Sequence, residues 1–251
     1  MNHPFDLHLV HPSWQPCLQQ GLNSLDPDYI SKLASSTDWL PGPEKIFNAF
    51  SLPLEKVNYV LFGESPYPRR ESANGYAFWD ANVRQLWSQT GLSKQVNRAT
   101  SLRHIIKMLL IAEQLLKTVD TTQPAIAKLS KQGLIQTNDE LFNNFINHGF
   151  LLLNITPVLS KQPPSKDAKA FVPFIKNVLS CLIEHRPKVT FVLFGNIAKQ
   201  IGELIKIPFT QTIAAEHPYN VSFVTNIPII DFFRPFHLLR TDNVTNTSKL
   251  K

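Results

Sequence analysis

Cysteine is scarce in this chain: of 251 residues only Cys17 and Cys181 carry sulfhydryls. Two sulfurs cannot build a disulfide framework, a four-cysteine zinc site or a cysteine-ligated iron–sulfur cluster. The pair therefore reads as buried structural thiols. Long apolar runs are missing too. Stretches such as FVLF and FLLLN fall far short of the roughly 20 residues that cross a bilayer, so no membrane association is expected. The opening MNHPFDLHLV lacks the basic start and small-residue cleavage site of a signal peptide, and an intracellular location is expected. No glycine-rich phosphate loop follows any apolar run, which argues against a nucleotide-binding α/β domain. No internal repeat or low-complexity block is present.

With 43% hydrophobic residues, the chain can bury one sizeable core, and no shift in composition marks a second domain. A single domain over 1–240 is expected, followed by a disordered tail over 241–251 that is polar and rich in Asn and Thr. Lys and Arg number 25 against 19 Asp and Glu, a net charge of +6, which favours an anionic partner such as nucleic acid.

Four short apolar runs, Lys56–Phe62, Gly149–Leu153, Val189–Phe194 and Phe209–Ala215, fit strands buried on both faces. Helical spacing is expected over Asn82–Gln89, Ser101–Thr118, Asn138–Asn147, Ala168–Glu184 and Ile197–Ile205, with an irregular connection or short helix over Asp120–Gln136. Alternation of this kind predicts an α/β fold: a three-layer α/β/α sandwich around a four-stranded parallel sheet. Ligands of such sheets bind beyond the carboxyl ends of the strands. The chemistry should sit at Gly63–Pro68, Asn154–Pro157, Gly195–Asn196 and Glu216–Ser222.

Those places carry a series of motifs. The first run ends in Gly63-Glu64-Ser65-Pro66-Tyr67-Pro68, followed by Gly75-Tyr76-Ala77-Phe78. Upstream stand Trp39-Leu40-Pro41-Gly42-Pro43 and Ile46-Phe47-Asn48-Ala49-Phe50. Downstream come Ser101-Leu102, Gly149-Phe150-Leu151-Leu152-Leu153-Asn154, Phe194-Gly195-Asn196, and His217-Pro218 with Val221-Ser222. In this order they resemble the uracil-DNA glycosylases, closest to their first family, over about residues 20 to 240. That family's hallmark after the first strand is Gly-Gln-Asp-Pro-Tyr-His, and Gly-Leu-Cys-Phe follows it.

The resemblance implies a monomeric, cofactor-free and metal-free enzyme of base excision repair. It would extrude a nucleotide from the stack at a cost of a few kcal/mol and hydrolyse its N-glycosidic bond. Phe78 would stack on the base. Tyr67 would clash with a thymine methyl. The Asn154 amide would accept from uracil N3–H and donate to O4, a pattern cytosine reverses. His217 would donate to O2 as negative charge develops there. Plainer roles exist for three of them: core packing for Phe78, a strand-end turn for Asn154, and a surface or satisfied core position for His217.

For the DNA, the resemblance implies Val221 as a wedge, smaller than the family's leucine. Pro43, Ser101, Lys161, Ser165, Gly195, Asn196 and Ser222 would meet the backbone, although ordinary caps and turns account for the serines and prolines nearly as well. Arg69 and Arg70 extend a basic rim beside the pocket, although a pair of arginines in a loop is more often just solvated charge.

Two departures matter. The family's carboxylate, which stabilises the sugar cation and positions water, falls at Ser65, and its closing histidine is Pro68. Losing a general base typically removes about 10²–10⁴ in rate. Glu64 is the obvious substitute, since a second branch of the superfamily carries Gly-Glu-x-Pro here, but that branch holds an iron–sulfur cluster on four cysteines. Neighbouring side chains of extended backbone also point to opposite sides. Two readings follow: a divergent uracil-DNA glycosylase acting on uracil-containing DNA, with Glu64, Ser65 and His217 at the chemistry; or a catalytically impaired relative that binds lesions or abasic sites, or serves a repair or replication assembly.

Overall fold

A computed structural model of the chain describes residues 5–7, 10–36, 38–204 and 211–241. In chain order its elements are α1 (Gln15–Asn23), α2 (Pro27–Ala34), β1 (Tyr59–Gly63), β2 (Trp87–Ser88), β3 (Gly91–Leu92), α3 (Lys94–Arg98), α4 (Thr100–Ala112), α5 (Gln123–Ala127), α6 (Asn138–Asn147), β4 (Phe150–Asn154), α7 (Pro164–His185), β5 (Thr190–Phe194), α8 (Ile197–Leu204), β6 (Thr212–Ala215) and α9 (Ile227–Phe233). The main sheet has the order β4-β1-β5-β6. β1 runs parallel to β4, pairing Tyr59 with Phe150 through Gly63 with Asn154, and parallel to β5, pairing Tyr59 with Thr190. Every residue of β4 is buried, as expected for a parallel strand covered on both faces. The expected α/β/α layering around a four-stranded parallel sheet is the fold.

Several boundaries differ from expectation for physical reasons. Asn82–Gln89 is not helical. Leu86 N–H donates to Gln136 O at 2.9 Å and Trp87 Nε1 to Ile135 O at 2.7 Å, which hold the segment extended before the β2–β3 hairpin. α4 stops at Ala112 instead of continuing to Thr118, because Gln114 turns left-handed at φ 60° and breaks the ladder. α7 begins four residues early, at Pro164, where a proline suits the first helical turn. The expected helix over 197–205, strand over 209–215 and tail over 241–251 extend outside the described residues at 205, 209–210 and 242–251.

The reading of Cys17 and Cys181 as thiols is overturned. They form a disulfide between α1 and α7, with Cα atoms 5.7 Å apart, inside the span such bonds require. Their 164-residue separation hides the pairing from any local pattern.

Contacts divide the chain into two units, Met1–Asp80 with Gly149–Thr212, and Ala81–His148 with Ile213–Lys251. In the first, α7 packs on α1 so tightly that a Cβ on Gly21 would lie 2.8 Å from the Phe174 ring. Phe47 stacks on Phe174 at 5.4 Å, and Trp14 Nε1 donates to Leu52 O at 2.7 Å. In the second, α4 lies against α9 and the short turn Val221–Thr225. The Phe145 ring of α6 meets Phe233 edge-on at 5.9 Å, and Asn144 Nδ2 ties down Leu238 O and Arg240 O at 2.9 and 3.1 Å. Charge divides unevenly. The second unit has twelve Lys and Arg against seven Asp and Glu, and the first has thirteen against twelve.

Candidate active site

The first unit gathers the expected base-reading residues at the carboxyl ends of β1 and β4. Gly63 and Asn154 are register partners. A Cβ on Gly63 would lie 2.5 Å from Asn154 Oδ1 and 2.9 Å from the Ala77 Cβ, so only glycine lets the amide and the following strap approach together. Ala77 N–H donates to Leu152 O at 3.1 Å, fixing that strap against β4. Asn154 is 4% exposed, yet its side chain makes no hydrogen bond among the described residues. Buried amides are ordinarily satisfied. The Asn154 amide is not enclosed: its polar atoms reach solvent at the strand tip, where a ligand can meet them.

Phe78 follows Ala77 and adopts φ 62°, a left-handed conformation that a bulky residue rarely holds and that clusters at functional sites. Tyr67 stabilises it: the phenol donates to Phe78 O at 3.1 Å. Burial, and then the nearby Asp80 charge, push the Tyr67 phenol well above its ordinary pKa, so it remains a protonated donor. Asp80, buried, pairs with the half-exposed Arg69 at 3.1 Å. Arg69 thus braces the strap over 67–80 instead of serving only as a charged rim. The Phe78 ring meets Phe194 edge-on at 6.1 Å, and Gly195 follows it at φ 61°, with Asn196 exposed before α8. Glu64 is exposed, and its carboxylate has no ion pair or hydrogen bond among the described residues; Ser65 is half-buried and Pro68 exposed. The Glu64 carbonyl accepts from Thr156 N–H at 2.9 Å.

The proline-rich loop and the loop after β4 also come together in this unit. Leu40 and Leu159 exchange two backbone hydrogen bonds of 2.9 Å, which sets half-buried Pro43 on a segment joined to the one bearing Lys161 and Ser165. The second segment is anchored on Asp167, fully buried, which accepts from Ser160 N–H, Ser160 Oγ and Tyr29 at 2.8, 3.0 and 2.8 Å. Ser165 is exposed. Lys161 lies 2.6 Å from Asp38, so a phosphate would have to compete for it.

The remaining expected residues lie in the second unit. Tyr219 N–H donates to His217 Nδ1 at 3.1 Å. With Nδ1 an acceptor, the neutral imidazole carries its proton on Nε2. Asn220 N–H closes the turn onto His217 O at 2.9 Å. From beneath, His104 of α4, 6% exposed, bonds Pro218 O through Nδ1 at 2.7 Å. Burial, reinforced by Arg103 and Lys107, lowers the His104 pKa despite that carbonyl. Ser101, half-buried, lies one turn earlier on the same helix. Ser222 is exposed and hydrogen-bonds Glu216, as does Asn226 Nδ2 at 2.8 Å; burial pushes Glu216 up, but these bonds and its own amide hold it below its ordinary pKa. Val221 is 76% exposed. Sequence patterns alone do not single out Asp80 or Asp167, which stand in loops or at a helix start among exposed and half-buried neighbours, and only His104 lies in a buried helical stripe.

A family model described as the uracil DNA glycosylase superfamily matches residues 51–240. The chain belongs to that superfamily. Among its relatives, a uracil-DNA glycosylase of Amoebophilus asiaticus is 28% identical over 218 residues, which is 83% of this chain and 84% of that protein. The crystal structure of wild-type UNG from Nitratifractor salsuginis is 39% identical, covers 93% of this chain and 95% of its own, and superposes with a TM-score of 0.87. The mimivirus uracil-DNA glycosylase structure, 19% identical over 84% of this chain and 70% of its own with a TM-score of 0.58, shares the fold. In this superfamily member no helix among the described residues is long and apolar enough to cross a membrane.

Proposed function

We propose that the chain is a uracil-DNA glycosylase that extrudes the nucleotide and hydrolyses its N-glycosidic bond in base excision repair. The observation that carries this reading is the Asn154 amide, on a residue 4% exposed, close against Gly63 and without a hydrogen-bond partner among the described residues. Its oxygen and nitrogen match uracil N3–H and O4 and mismatch cytosine. The Phe78 ring, held at φ 62° by Tyr67, supplies a stacking face. The Tyr67 ring excludes the thymine methyl. His217, with its proton on Nε2, donates to O2 as the base leaves with the bonding electron pair. Val221 enters the stack, and Pro43, Ser101, Lys161, Ser165, Gly195, Asn196 and Ser222 approach phosphates. Glu64 activates the water in place of the family's carboxylate; its exposed carboxylate at the end of β1, without an ion pair or hydrogen bond among the described residues, supports that role. The protein acts as a monomer within the cell.

Incubation with uracil-containing single- and double-stranded oligonucleotides should leave abasic sites. Glu64→Ala should lower the rate by about 10²–10⁴. A parent chain that leaves uracil intact while Ser65→Asp gains activity would instead make it a lesion binder, the reading that the uncharged Ser65 favours.

A further inference from the structure

Tyr219 takes no part in the chemistry above, and its position is unusual. The ring is 69% exposed and Val221, two residues on, is 76% exposed. Single exposed apolar side chains are ordinary. Here two stand on a segment whose backbone is fixed from three directions: Tyr219 N–H on His217 Nδ1, Asn220 N–H on His217 O, and Pro218 O on buried His104. A rigid turn that keeps an aromatic ring in water has met the ordering cost of binding in advance. The unit that carries it has five more basic than acidic residues, twelve against seven, and Val221 alone offers little surface to fill a vacated place in a base stack.

We propose that Tyr219 is a second stacking residue, whose ring lies on a DNA base beside the extruded nucleotide and makes up for the small Val221 plug. This rests on the glycosylase reading. A phenol ring stacks on any base and needs no sequence, as aromatic platforms for unstacked nucleic acid do. Tyr219 holds His217 through its backbone amide, which every substitution except proline preserves. Its side chain is therefore expected to act on DNA binding and KM, with kcat largely kept.

The test uses the full chain and an oligonucleotide carrying an abasic analogue flanked by 2-aminopurine. Anisotropy should show Tyr219→Ala binding about 10- to 100-fold more weakly, with KM on uracil DNA raised to match, while Tyr219→Phe stays near the parent. Binding should quench 2-aminopurine in the parent and Tyr219→Phe and leave it bright in Tyr219→Ala. Parent-like affinity and quenching in Tyr219→Ala would overturn the proposal and leave the glycosylase reading standing, provided the parent excises uracil. A Tyr219→Arg variant that binds as well as Tyr219→Phe without quenching would make the contact electrostatic and overturn stacking. Failure of the parent to bind this DNA at all would overturn both.

Discussion

Single side chains at the site are separable by what each owes to the fold. Asn154 makes no side-chain hydrogen bond among the described residues, so its truncation should remove no native hydrogen bond. Asn154→Ala should lower kcat/KM on uracil DNA by about 10²–10³ while its melting temperature stays within roughly 2 °C of the parent. A large loss of stability would mean that the amide serves packing. His104 has the opposite profile. Its pKa is lowered in the folded chain from the ordinary 6.5, so the unfolded chain binds the extra proton first as the medium acidifies. The stability that neutral His104 contributes is present above about pH 6.5 and is lost as pH falls below it. Thermal melts between pH 7.5 and 5.5 should show a declining midpoint, and His104→Asn should flatten that slope over the same range. An unchanged slope would remove His104 from the account.

Elements position these side chains through close approach, and that is where substitutions should be harshest. Gly63→Ala places a methyl 2.5 Å from Asn154 Oδ1 and 2.9 Å from Ala77. It should destabilise by about 1–3 kcal/mol and cost more activity than stability, measured as excision rate against denaturant midpoint. Equal small losses in both would show that the strap can retreat. β1, β4 and β5 were legible because runs such as FLLLN are apolar without alternation, whereas β6, at the sheet edge, is not buried as expected; α6 was legible because Asn138–Asn147 keeps helical period behind Thr137, which with Glu140 forms a capping box. Asn82–Gln89 reads as a helix because Val83, Leu86 and Trp87 fall at helical spacing, although the Gln136 and Ile135 carbonyls that Leu86 N–H and the Trp87 indole bond lie some fifty positions away. Leu115 and Leu116 likewise extend the pattern of α4 past Gln114, whose left-handed turn no periodicity reveals. The strand-tip site was readable residue by residue because ordered loop motifs survive at Gly63, Phe78 and Asn154. The buried supports of the loops, Asp80 and Asp167 in the first unit and His104 in the second, were not, since a buried polar residue is identified only by the distant atoms it bonds.

At the scale of the whole molecule, the Cys17–Cys181 bond closes a loop of 164 residues, and loops of that length gain several kcal/mol from cross-linking in the chain-entropy account. Reduction, or Cys181→Ser, should lower stability by about 2–4 kcal/mol, read as a drop in melting temperature that dithiothreitol reproduces in the parent and not in the variant. Thiol titration under denaturing conditions should find no free sulfhydryl before reduction. The claim on which everything else depends is that this chain breaks the N-glycosidic bond of uracil in DNA and reads that base through Asn154. The most direct measurement follows abasic-site formation in three oligonucleotides that differ at one position, uracil, thymine or cytosine, with parent and Asn154→Ala chains side by side. The account predicts cleavage at uracil alone, lost in the variant. Equal attack on thymine, or uracil excision undiminished in Asn154→Ala, would contradict it.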